Sequence, residues 1–296
     1  MKNWIQAARL RTLPLSFSGI LIGSAYAYYQ HQFDGLVFVL ALLTTLSFQV
    51  LSNYANDYGD GVKGTDANRV GEKRLVASGE ITSAQMKKAV IIMALVSLFF
   101  AIGLIFFAFG QENFSYSVLF LCLGIAAITA AIKYTVGNNA YGYSGFGDVF
   151  VFLFFGLVAV LGSNFLQTKE FDWRLLLPAF AIGMLSSAVL NLNNMRDELS
   201  DKKVGKNTLV VKLGGENAKK YHYFLILGAM LLVLVFAFLV HFSIEQYIFV
   251  VAYFPLINHL KTVRACKDHR ELDPQLKTVA ISTFLLSLIL GLALFF

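Results

Sequence analysis

Nine stretches of this 296-residue chain are apolar for long enough to approach bilayer thickness, and little polar length is left between them. The runs are Leu13–Tyr29, Gly35–Leu51, Ala89–Phe109, Ser115–Ile132, Val149–Leu166, Leu175–Leu190, Tyr221–Val240, Tyr247–Leu260 and Val279–Phe296. A spanning helix needs about 20 predominantly apolar residues. Inside lipid each backbone N–H and C=O must be satisfied by the segment itself, so runs of this length are helical. Several runs need a few flanking residues to reach full length, and the eighth has the weakest pattern. The expected architecture is an all-α integral membrane protein, about nine transmembrane helices in one bundle, spanning 1–296 as a single domain. Hydrophobic residues make up 57% of the chain and charged residues 14%, which excludes both a disordered chain and an ordinary soluble globule.

Basic residues set the expected orientation. With nine spans and the N-terminus inside, 22 of the 24 Lys and Arg fall in inner segments, and only Lys169 and Arg174 fall outside. That bias follows the positive-inside rule and puts the C-terminus outside. The net charge of +6 is then a property of topology and of anionic lipid or substrate, with no nucleic-acid partner implied. The first apolar run, entered through Arg9, Arg11 and Pro14, lacks a small-residue cleavage site and is expected to remain as a span. Cys122 and Cys266 form neither a disulfide framework nor a CxxC pair.

The chemistry is concentrated in two acidic clusters, each closing an apolar run that descends to the inner side, four spans apart. The first is Asn53-Tyr54-Ala55-Asn56-Asp57-Tyr58-Gly59-Asp60; the second runs from Asn191 to Asp201. Such placement is expected of a parallel internal repeat. Asp57 and Asp60 are spaced i, i+3, and Asp197 and Asp201 i, i+4, so each pair shares a helix face if the helix continues past the membrane edge. Like charges so placed repel unless a cation bridges them. Mg²⁺ suits the role, since it prefers oxygen ligands and binds through carboxylates plus substrate phosphate. A solvated helix end is the lesser alternative for either cluster alone; two alike on one side argue for a metal site.

Cations follow each cluster: Lys63, Arg69, Lys73 and Arg74 after the first, Lys202, Lys203 and Lys206 after the second. Topogenic charge accounts for any single lysine. Arg74 and Lys206, however, stand in Gly-bearing loops whose backbone amides can approach phosphate oxygens, and the sum reads as a Mg²⁺-bridged diphosphate site. A third inner loop, 134–148, is rich in Gly and Tyr; it forms an interfacial aromatic belt or lines a pocket for an aromatic or cationic species. Asp148 reads as a cap opening span five. The five histidines show no metal-like spacing and receive no role.

These residues resemble the UbiA superfamily of intramembrane prenyltransferases, marked by NDxxDxxxD after helix two and DxxxD after helix six. Asn56-Asp57-x-x-Asp60 and Asp197-x-x-x-Asp201 match, whereas position 64 is Gly and the next acid is Asp66. That departure resembles the 1,4-dihydroxy-2-naphthoate prenyltransferase branch, with its NDYxDxxxGxD. Arg9-x-Arg11-Thr12-Leu13-Pro14, Asn194-x-Arg196-Asp197-x-x-x-Asp201 and Gly205-Lys206-x-Thr208-Leu209 are similar to further elements of that branch. The loop at Tyr134-Thr135-x-Gly137 and Tyr143-x-Gly145-x-Gly147-Asp148 is similar too, with Asn138 where Pro is usual and Asp148 where Glu is usual.

The resemblance implies Mg²⁺ held by Asp57, Asp60, Asp197 and Asp201, and a polyprenyl diphosphate contacted by Asn56, Lys63, Arg74, Lys206 and Tyr134. Arg74 would also assist catalysis, Asp66 is the candidate base, and Arg11, Asn53 and Asn193 are the candidates for binding 1,4-dihydroxy-2-naphthoate. It further implies menaquinone synthesis in a bacterial inner membrane, with the site facing the cytoplasm. Rival readings are another aromatic acceptor such as 4-hydroxybenzoate, haem or chlorophyllide, or a secondary transporter. Against a transporter, the carboxylates sit at one rim, away from the midplane. The DGxxAR pattern of a CDP-alcohol phosphotransferase is absent.

Overall fold

The computed structural model describes residues 1–65 and 73–296, and among these all regular structure is helical. A short helix α1 (Lys2–Ala8) ends at Arg9 in the left-handed conformation, and a 3-10 turn, Leu10–Thr12, leads into α2 (Leu13–Tyr29), with Pro14 in its first turn. Helix α3 (Gly35–Lys63) is capped by Asp34, whose side chain accepts from the amides of Leu36 and Val37. Helix α4 (Ser83–Phe109) opens with a reciprocal cap between Thr82 and Gln85 and is followed by α5 (Phe114–Lys133). The next span is α6 (Gly147–Val151), a π-helical segment over Phe152–Val158 and α7 (Ala159–Thr168), without a break. Then come α8 (Leu176–Lys203), the short α9 (Leu209–Leu213), α10 (Gly215–Leu239), α11 (Tyr253–Ala265) and α12 (Asp273–Ala293).

Among the described residues, seven helical segments are long and apolar enough to cross a membrane: Gly35–Lys63, Ser83–Phe109, Phe114–Lys133, Gly147–Thr168, Trp173–Lys203, Gly215–Leu239 and His269–Ala293. The two other runs expected to span are built differently. Helix α2 has 17 residues. The eighth run is no continuous α-helix: it is 3-10 over Ile244–Ala252 and becomes α-helical at Tyr253. Pro255 explains the change of type. Lacking an N–H and clashing with the carbonyl four residues back, proline is accommodated in the first turn of an α-helix, which is where α11 places it.

The exposure pattern along α4 suits an apolar solvent. Ile91, Leu95, Phe99, Ile102 and Phe106 form one exposed stripe along α4 at helical spacing, while its inward face carries smaller groups such as Ser97, Ala101 and Ala108. Helix α8 is central, with Leu185, Ala188, Asn191 and Leu192 buried against α10 and α12. Two of the five histidines assigned no role in the sequence, His222 and His259, meet here. Asn191 Nδ2 approaches His222 Nδ1 at 3.4 Å, His222 Nε2 and His259 Nε2 are 2.7 Å apart, and His259 Nδ1 lies 2.8 Å from Gln275 Oε1. Hydrogen bonds running in one direction, from Asn191 Nδ2 through both rings to Gln275, cross-link α8, α10, α11 and α12.

Candidate active site

Helix α3 runs about three turns past Leu51, so the first acidic cluster is helical throughout. Its side chains divide into two adjoining stripes, each spaced i, i+4. Asn56 and Asp60 form one. Thr135 donates to Asn56 Oδ1 at 3.3 Å and to the Ala55 carbonyl at 3.0 Å, and Tyr143 donates to Asp60 Oδ1 at 2.8 Å. Gly59, on the same side, admits this loop: a Cβ there would lie 2.5 Å from Thr135 Oγ1. Asp57 and Gly61 form the other stripe. Asp57 is fully buried, and its two oxygens accept from the backbone amides of Leu75 and Val76, each at 3.1 Å. The i, i+3 pairing expected of Asp57 with Asp60 is therefore split between two surfaces.

The turn held by Asp57 carries Arg74, whose buried guanidinium has Nη2 3.7 Å from Asp60 Oδ2. On α8 the second cluster is likewise compensated in place. Arg196 donates from Nε and Nη2 to the two oxygens of Asp197 at 2.8 and 2.7 Å, from Nη2 to Asn193 Oδ1 at 2.8 Å, and from Nη1 to Asp273 at the start of α12. Asp201 faces Lys206 Nζ at 3.8 Å, across a tight turn in which Gly205 adopts positive φ.

Tyr143 joins the two halves. Its hydroxyl reaches Asp60 and lies 3.0 Å from Thr65 Oγ1, while its carbonyl accepts from the Asn207 amide at 3.0 Å. Lys63 Nζ stands 3.9 Å and Lys206 Nζ 5.3 Å from its ring centroid. One aromatic ring thus gathers a lysine from each cluster, an arrangement cation–π attraction favours and an anion would reinforce. Tyr134 lies in the same region; burial first, then the carboxylates of Asp148 and Asp60, push its phenol up, keeping it a neutral hydrogen-bond donor.

Several expected residues sit elsewhere. Asn53 donates to the Ala8 carbonyl at 2.8 Å and to Thr12 Oγ1 at 3.4 Å, so its amide props the corner between α1 and α2. Arg11 is exposed in that corner, and Asn193 accepts from Arg196. Asp148 is not the cap of α6, a position Phe146 takes; it is buried in the first turn of that helix, facing Tyr221 and Tyr134. Asp66 lies outside the described residues. Tyr143 and Arg196 received no role from the sequence alone, although each stands inside a motif already singled out. A surface depression of about 570 Å³ lies at the opposite end of α8, where Asp172 holds Arg174 and Tyr26.

Among the described residues no group of three or more acidic, His or Cys side chains is already gathered as a metal cage. The donor set nonetheless fits Mg²⁺, which binds through one or two carboxylates and completes its shell with water and phosphate. Asp60 and Asp201 face Arg74 and Lys206 at 3.7 and 3.8 Å, longer than a hydrogen bond, whereas Asp197 takes two hydrogen bonds from Arg196.

The family model for the UbiA prenyltransferase family matches residues 16–289. The chain belongs to the UbiA prenyltransferase family. Membership makes it a prenyltransferase, as the paired Asp motifs implied. It is 43% identical to the 1,4-dihydroxy-2-naphthoate octaprenyltransferase of Haemophilus influenzae, over 99% of this chain and 96% of that one. It is 42% identical to the Escherichia coli protein of the same name, over 99% and 94%. In fold it is similar to a UbiA homologue from Archaeoglobus fulgidus solved with GPP and Mg²⁺, with a TM-score of 0.66, 19% identity, and 97% and 99% of the two chains covered.

Proposed function

We propose that this UbiA-family enzyme transfers a polyprenyl group from its diphosphate to 1,4-dihydroxy-2-naphthoate, with loss of CO₂, giving demethylmenaquinol, the quinol form of demethylmenaquinone. The observation that carries the site assignment is the convergence on Tyr143 of Asp60 and Lys63 from one cluster and Lys206, paired with Asp201, from the other. The high-coverage identity to two naphthoate octaprenyltransferases supports the choice of acceptor.

In this reading Lys63, Lys206 and Arg74 bind the diphosphate, with Tyr134 as a neutral donor. Asp60 and Asp201, assisted by Asn56 and Asp197, would hold Mg²⁺, which when bound supplies charge neutralisation for the departing diphosphate. The allylic C1–O bond breaks with its electron pair leaving on the diphosphate, and the naphthoate ring carbon that bears the carboxylate bonds to C1. The carboxylate leaves as CO₂, its bonding pair returning to the ring. Positively charged side chains fixed beforehand at the diphosphate stabilise the charge that develops there. Arg11, whose planar fork matches a carboxylate, is the proposed contact for the naphthoate. Nine spans are proposed, counting α2 and the segment Ile244–Ala265, with both acidic clusters at the cytoplasmic face of a bacterial inner membrane. Working inside a lipid-facing bundle leaves the long isoprenoid in hydrocarbon.

Membranes containing the protein, incubated with radiolabelled polyprenyl diphosphate, Mg²⁺ and each aromatic acceptor in turn, test the proposal. Label is expected in a decarboxylated naphthoquinol product. Preferential labelling of 4-hydroxybenzoate would overturn the acceptor assignment.

A further inference from the structure

We propose that Asp57 is a positioning residue, docking the 74–79 turn on α3 and so delivering the Arg74 guanidinium to the diphosphate. The role of Arg74 rests on the functional reading above; the docking does not.

Asp57 is fully buried, and so is Leu75, one of the two residues whose amides it accepts. One helical turn on, Gly61 gives the same stripe a surface without a side chain: a Cβ there would lie 2.5 Å from Val76 Cγ1 and 2.7 Å from Val76 Cβ. The turn is closed on itself by Ser78 N to Arg74 O at 3.0 Å and Ile81 N to Leu75 O at 3.1 Å. Arg74 immediately precedes the two clamped amides, so fixing them fixes the origin of its side chain, which ends 3.7 Å from Asp60. Were Asp57 to turn toward a metal, two backbone N–H groups, that of Leu75 fully buried, would lose their acceptors at once. Neighbouring acids on α3 therefore divide the work: Asp60 faces the site and Asp57 holds the loop that supplies its cation.

The test uses detergent-solubilised full-length protein carrying Asp57→Ala, Asp57→Asn, Arg74→Ala or the Asp57→Ala/Arg74→Ala pair. Asp57→Ala is expected to raise the KM for polyprenyl diphosphate about tenfold, with the double variant no worse than Arg74→Ala, because the two act as one unit. The Mg²⁺ concentration for half-activation and the KM for the aromatic acceptor should stay within about twofold of wild type. Asp57→Asn keeps one accepting oxygen and should fall between. Independently of turnover, an Arg-specific protease should cut the buried Arg74–Leu75 bond faster in Asp57→Ala than in wild type, read by mass spectrometry. A Mg²⁺ requirement raised about tenfold with that bond still protected would make Asp57 a metal ligand and overturn the proposal. Multiplicative effects in the double variant, or unchanged KM and protection in both Asp57 variants, would also overturn it. Absence of turnover on any polyprenyl diphosphate by wild type would defeat the functional reading alone, since the proteolysis still reads the docking.

Discussion

Replacing Tyr143 by Phe removes one oxygen and leaves the ring beneath Lys63 and Lys206. The lost hydroxyl donates to a buried carboxylate, Asp60, at 2.8 Å, and a hydrogen bond to a charged group contributes roughly 1.5–3 kcal/mol. Without it Asp60 relaxes in the free enzyme, and restoring its placement on the way to the transition state costs up to that amount, a fall of up to roughly 10- to 150-fold in kcat/KM for the prenyl diphosphate. Tyr143→Leu also removes the ring. With Lys63 Nζ at 3.9 Å from its centroid, the cation–π share is about 0.5–2 kcal/mol, so Leu should cost a further twofold to thirtyfold. Steady-state assays in detergent, varying prenyl diphosphate at saturating acceptor, would rank wild type, Phe and Leu in that order. The reasoning fails if Tyr143→Phe retains kcat/KM within about twofold of wild type, or if Leu and Phe are indistinguishable.

Arg196→Gln leaves Asp197 and Asp273 without their guanidinium and should destabilise the protein by about 3–5 kcal/mol; Arg196→Lys should rescue poorly, since an ammonium cannot reproduce the fork. Thermal unfolding in detergent checks both. Chelation of Mg²⁺ should abolish turnover reversibly, and Asp60→Asn and Asp201→Asn should each raise the Mg²⁺ concentration for half-activation by about tenfold or more in a metal titration. Arg11→Gln should raise the KM for the naphthoate several-fold while leaving that for the prenyl diphosphate nearly unchanged, and equal effects on both would reduce Arg11 to a topogenic charge.

What the linear chain determined is what short-range physics sees. Apolar runs of bilayer length have one way to satisfy their backbone, so the helical architecture and the seven helices long enough to cross a membrane were legible, as were the two Asp motifs that mark the family. The periodicity also put the acids of each cluster on a common side of a helix. It did not say which neighbour each would meet: Asp57 and Asp60 are close enough in angle to read as one face, and only the packed turn at 74–79 and loop at 134–148 separate them. Tyr143 acquires its place from partners 83 residues earlier in sequence, and Arg196 reaches an acid 77 residues later. His222 and His259 stand 37 residues apart and meet only because α10 and α11 pack together. A helix fixes angles among its own side chains within a turn or two, whereas the partner that neutralises, clamps or stacks on each is chosen by how helices distant in sequence come together.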